Sequence, residues 1–98
     1  MKISIQKREK IAEQILGFLY SKNPQPIFTS HIAEEIARDE EFVKGLLLGL
    51  KSKKLITEIK KNPKGIDYIR RSRWKLTDTA YEIYNNHQKN YTLKINNI

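Results

Sequence analysis

A chain of 98 residues with 39% hydrophobic and 31% charged residues has the make-up of an ordinary globular domain, long enough to bury one core and too short for a catalytic domain beside a separate binding domain. It contains no cysteine, which excludes disulfides, thiolate chemistry and every cysteine-based zinc site. Its formal net charge of +8 points to an acidic partner, provided the excess gathers in one place.

From Lys7 to Ser21 the apolar residues Ile11, Ile15, Phe18 and Leu19 recur at helical spacing with Lys and Glu between them, which predicts a first amphipathic helix. Asn23-Pro24-Gln25-Pro26 should end it, because proline lacks the backbone donor and biases the preceding residue away from helical angles. Ile27-Phe28 reads as a short extended stretch. Thr29-Ser30 offers hydroxyls to cap a second helix over about Ser30–Arg38, with Ile32, Ala33 and Ile36 inward and Glu34 placed four residues before Arg38. A break near Arg38-Asp39 leads to a third helix, about Glu40–Lys53, with Val43, Leu46, Leu47 and Leu50 inward. Asp39, Glu40 and Glu41 gather at its start, where a helix dipole favours negative charge and where cytosine contacts are the alternative reading. Two short helices joined by a tight turn make a helix-turn-helix unit.

After Lys54 the character changes. Leu55–Ile59 is strand-like, Asn62-Pro63-Lys64-Gly65 is a turn by composition, and Ile66–Leu76 can return as a second strand, giving a β-hairpin. Thr77-Asp78 can cap a last helix over about 78–90, whose Tyr81, Ile83 and Tyr84 form an aliphatic and aromatic stripe. Residues 91–98 carry no clear pattern. The charge excess is local: residues 51–75 hold ten Lys/Arg against Glu58 and Asp67, whereas the segments on either side balance to zero. The expected fold is mainly α with a small β-hairpin (α+β), in the order α-(β)-α-α-β-β-α, as one domain with its core in about 8–90 and tails at 1–6 and 91–98.

The stretch from Phe28 to Ala37, the apolar spacing Val43, Leu47, Leu50 followed by Lys54-Leu55-Ile56, and the run Arg73-Trp74-Lys75-Leu76-Thr77 with Ala80 beyond it resemble the winged helix-turn-helix family of transcription regulators. The resemblance covers about residues 8–90, and its motifs are shared by many winged domains. It implies a duplex DNA partner, with the third helix in the major groove and the hairpin, or wing, on the backbone or minor groove. Lys44, Leu48, Lys51 and Ser52 would then face the groove, and Lys60, Lys61, Lys64, Arg70, Arg71 and Arg73 would reach phosphates. Terminal helices often form a dimer in such proteins, and Tyr81, Ile83, Tyr84 and Tyr91 are the residues for a homodimer interface, which would read two half-sites.

Catalysis has no candidate residues. His31 and His87 lie far apart in sequence, the neighbouring carboxylates Glu34-Glu35 and Glu40-Glu41 diverge on a helix, and no phosphate loop or nucleophile motif is present. No enzyme activity, metal or cofactor is expected. Two alternatives remain open: a winged module that docks a protein through helix three, suggested by Phe42, Leu48, Gly45 and Gly49, and an RNA or single-strand binder using Tyr68 and Trp74 as stacking platforms. Trp74 beside Leu76 also reads as core. No apolar run approaches the roughly 20 residues that cross a bilayer, and Met1–Gln6 opens no secretory signal. The expectation is an intracellular protein without a membrane partner, in cytoplasm or nucleoid, or in those of a host cell if the chain is viral.

Overall fold

The structure, a computed structural model, describes residues 4–60 and 71–96. Along the chain run α1 (Ile5–Lys22), β1 (Ile27–Phe28), α2 (Thr29–Glu35), α3 (Glu40–Ser52), β2 (Ile56–Ile59), β3 (Arg73–Leu76) and α4 (Asp78–Asn96). The sequence-predicted order holds, and the strands join in one antiparallel sheet, β1-β3-β2.

Helix α1 starts two residues earlier than its periodicity suggests because the Ser4 hydroxyl accepts from the Lys7 amide at 3.2 Å and so satisfies one of the orphan donors of the first turn. Its Ile11, Ile15 and Leu19 are buried, as are Val43, Leu46, Leu47 and Leu50 of α3. These stripes meet the inner face of the sheet, where Ile27, Ile56, Trp74 and Leu76 complete one core. The register explains that face: Ile56 stands opposite Leu76 and Ile27 opposite Trp74, and side chains paired across strands point the same way. Trp74 is 0% exposed, and its indole N–H donates to the Thr29 hydroxyl at 2.8 Å. It is core, with no face on which a base could stack.

The start and end of α2 correct the sequence expectation. Neither Thr29 nor Ser30 caps it: Phe28 is the N-cap residue and supplies no side-chain hydrogen bond, while the Thr29 hydroxyl is spent on Trp74. The helix ends at Glu35, so Arg38 lies beyond it and the four-residue spacing from Glu34 is no longer a helical one. The Ala37 amide donates to the Glu34 carbonyl and the Arg38 amide to the Ala33 carbonyl, with Ala37 in the left-handed region at φ 55°. This is the paired hydrogen bonding of a Schellman turn, built on alanine where glycine is the usual residue. The same device closes α3, with Lys54 at φ 62° and its amide on the Lys51 carbonyl, while the Leu55 amide reaches the Leu50 carbonyl. The left-handed residue turns the chain sharply, so β2 begins at Ile56 rather than at Leu55.

At the other junction the Thr77 hydroxyl accepts from the Ala80 amide at 3.1 Å, the expected cap. Helix α4 then continues to Asn96, taking in most of the segment without a clear sequence pattern. Among the described residues no helix is long and apolar enough to cross a membrane.

Candidate nucleic-acid interface

Helix α3 presents two unlike faces because its apolar residues recur every three or four positions. Val43, Leu46, Leu47 and Leu50 are inward, and Lys44, Gly45, Leu48, Gly49, Lys51 and Ser52 are exposed. All four groove-facing candidates, Lys44, Leu48, Lys51 and Ser52, therefore share the outer surface of one helix. Asp39 caps that helix by accepting the Phe42 amide at 3.1 Å, with Glu40 and Glu41 in the first turn. These carboxylates sit where the dipole stabilises them. Phe42 is half-buried against the core, whereas Leu48 is 46% exposed.

The wing begins from the sheet. Arg71 is exposed and Arg73 half-buried, and both guanidinium groups lie over the Phe28 ring, 5.8 and 5.7 Å from its centroid. Phe28 faces Arg73 across the β1–β3 pair, so a two-residue strand serves as a platform that gathers two cations at the wing's base. Lys61, Lys64 and Arg70 lie outside the described residues, as do Tyr68 and the turn at residues 62–65.

Sequence reasoning missed Glu58. It shares the inner face of the sheet with Ile56, two residues back on β2, and stands opposite Trp74. Only 7% of its side chain is exposed. The carboxylate accepts from Lys51 Nζ at 2.9 Å and from the Ser72 hydroxyl, with Lys60 Nζ at 4.0 Å. Burial works to raise its pKa, but the hydrogen bonds from Ser72 and Lys51 and the charges of Lys51 and Lys60 outweigh it and hold the group below the usual carboxylate value. Glu58 thus joins the end of α3 to both wing strands, and it draws on two of the cations expected to reach DNA. The signal was present in the alternation: in Ile56-Thr57-Glu58, an inward Ile56 makes Glu58 inward too. Ser52 likewise turns its hydroxyl proton back onto the Gly49 carbonyl at 2.7 Å, leaving its oxygen lone pairs outward.

The dimer candidates divide. Tyr20 of α1 stacks on Tyr81 with ring centroids 5.2 Å apart, lies 4.5 Å from the Tyr84 ring, and donates to Asn85 Oδ1 at 2.7 Å. Tyr81 and Tyr84 therefore hold α4 to its own α1. Ile83 is 64% exposed at an apolar hollow of about 250 Å³ shared with Leu16, Leu55 and Leu76. The Tyr91 side chain lies outside the described residues. His31 is exposed, with its ring edge-on to Phe18 at 5.8 Å, and His87 is exposed at the middle of α4.

No family model matches the chain, and no curated protein matches it. Solved structures do. The complex of Staphylococcus aureus MepR with DNA is 25% identical, with 93% of this chain and 80% of that chain covered and a TM-score of 0.63. A MepR point mutant from a multidrug-resistant clinical isolate of the same organism is 26% identical over 74% of this chain and 50% of that one, with a TM-score of 0.62. A double mutant of Lactococcus lactis ZitR is 22% identical, covering 99% of this chain and 58% of that one, with a TM-score of 0.68. The chain spans about half the length of that MepR mutant and of a single mutant of ZitR. The likeness shows the fold: the chain is a winged helix-turn-helix protein.

Proposed function

We propose that this chain binds duplex DNA and regulates transcription, with α3 entering the major groove and the wing lying on the backbone or minor groove. The observation that carries this reading is the shared exposure of the outer α3 face and of Arg71 at the wing's base, on a fold that MepR displays in complex with DNA. Its structural neighbours are transcription regulators rather than enzymes. Lys44, Leu48, Lys51 and Ser52 face base edges and nearby phosphates. Lys60, Lys61, Lys64, Arg70, Arg71 and Arg73 supply phosphate contacts, whose affinity comes from released counterions and is largely blind to sequence. The functional unit is a homodimer, assembled through the exposed Ile83 and its hollow together with Tyr91, while Tyr81 and Tyr84 brace α4 from within. A two-fold dimer reads half-sites about one helical turn apart.

A competition experiment tests the reading. A labelled mixed-sequence duplex of about 30 base pairs, long enough for two half-sites, is held by the protein and challenged with unlabelled duplex, single-stranded DNA or RNA of the same sequence. Duplex DNA should compete best. Stronger competition by either single strand would overturn the reading in favour of stacking on exposed bases, for which buried Trp74 offers no surface.

A further inference from the structure

The exposed side chains of α3 are poor in groups that read bases by hydrogen bonding. The donors and acceptors that discriminate guanine and adenine in the major groove come mainly from Arg, Lys, Asn and Gln, and of these only Lys44 and Lys51 occur between Glu40 and Ser52. Lys51 is held by Glu58 at 2.9 Å, and the Ser52 proton is spent on the Gly49 carbonyl. Glu40 and Glu41 lie in the first turn at the capped end. At the middle of the outer face stands Leu48, a large apolar side chain that is 46% exposed and takes no part in the core. Lys44 and Ser52 stand one turn before it and one turn after it, and the neighbouring Gly45 and Gly49 have open space where a Cβ would be, so Leu48 is the most protruding group between the two.

We infer that Leu48 is the principal specificity-determining residue of the interface and that it selects duplex sites by packing on a thymine methyl group. This rests on the proposed DNA-binding function and adds the base class that it reads. The chemistry follows from the groove: the thymine C5-methyl is the one apolar feature that base pairs display there, and apolar side chains are its partners. Leu48 can use it without requiring a buried donor or acceptor, whereas a guanine or cytosine at the same place would leave polar base atoms against an apolar side chain. The cations flanking the face, Lys44 before it and the exposed Lys53 and Lys54 after it, suit phosphates on either side of the groove and would repel a basic protein surface. The partner they favour is therefore DNA rather than a second basic protein.

The test compares an alternating A·T duplex with the same duplex in which every thymine is replaced by deoxyuridine, which removes only the methyl groups. Both are titrated with the full chain and with its Leu48→Ala variant, after circular dichroism confirms that the exposed substitution leaves the helices intact. Removing one buried methyl group should weaken wild-type binding by about fourfold, and the Leu48→Ala variant should bind the two duplexes equally, the non-additivity that marks a direct interaction. Equal binding of both duplexes by the wild type would overturn the inference while leaving the DNA-binding reading intact. So would a thymine preference that survives in Leu48→Ala, since groove shape would then be its source. Absence of duplex binding at low salt would overturn both and turn Leu48 into a docking residue for a protein.

Discussion

The outer face of α3 and the base of the wing are neighbours, yet they are built on opposite plans. On α3 an acidic capped start gives way to a smooth face of glycine, serine and leucine with few cations. At the wing, Arg71 and Arg73 share the Phe28 ring, and residues 55–76 hold seven Lys/Arg against Glu58 and Asp67. Under the proposed function the two plans would divide the labour, the wing supplying sequence-blind affinity and the helix supplying choice. Glu58 lies where the two plans meet, and it withdraws charge from both by holding Lys51 and Lys60.

Removing the wing's charge is the strongest way to break this division. Arg71→Ala combined with Arg73→Ala should weaken duplex binding on the order of tenfold at low salt, uniformly across sequences, with a salt slope shallower by about one for each phosphate no longer neutralised. A weakening confined to particular sequences would show that the wing reads bases. Thr29→Val separates the structural half of the wing from its binding half. It leaves the buried indole N–H of Trp74 without its acceptor and should cost about 1–3 kcal/mol in chemical denaturation, with little change in the affinity of the protein that remains folded.

Glu58→Gln should act in the opposite sense on binding. It keeps an acceptor for Ser72 and Lys51 but removes a negative charge beside the interface, so affinity for duplex DNA should rise about two- to fivefold at low salt and the gain should shrink as salt is added. Weaker binding would instead make Glu58 a brace that sets the angle between helix and wing. The sign for stability is separate: because the folded carboxyl lies below its ordinary value, its stabilising contribution is present above the unfolded pKa and disappears as pH falls through the folded one. Glu58→Gln should remove that part of the acid dependence. The smallest expected effect is at the turn between α2 and α3, where Ala37→Gly relieves the left-handed alanine and should stabilise by about 0.5–1 kcal/mol in thermal unfolding, leaving DNA affinity unchanged.

Most of the architecture was legible because it rests on periodicity and punctuation. Ile11, Ile15 and Leu19 mark the buried stripe of α1, Val43 to Leu50 that of α3, and Thr77 the cap of α4. The end of α2 was hidden because its left-handed residue is Ala37, and alanine ordinarily argues for continuing a helix. The missing side-chain cap of α2 has a tertiary reason: the Thr29 hydroxyl accepts from the indole of Trp74, a residue 45 positions away, and no local pattern reveals that. At the candidate site the residue types were visible and the pairing was not. Ten cations in residues 51–75 could be counted, but which of them Glu58 occupies depends on the sheet register. Tyr81 and Tyr84 looked like spare apolar surface until Tyr20 of α1 came to lie against them.

The most direct test of the account is the salt dependence of binding to a labelled mixed-sequence duplex, followed by fluorescence anisotropy between about 50 and 200 mM salt, where several phosphate contacts cost orders of magnitude in affinity. Affinity should fall in this way, linearly in the logarithm of salt, and with a shallower slope in the Arg71→Ala, Arg73→Ala protein. No binding at the lowest salt, or binding indifferent to salt, would contradict it.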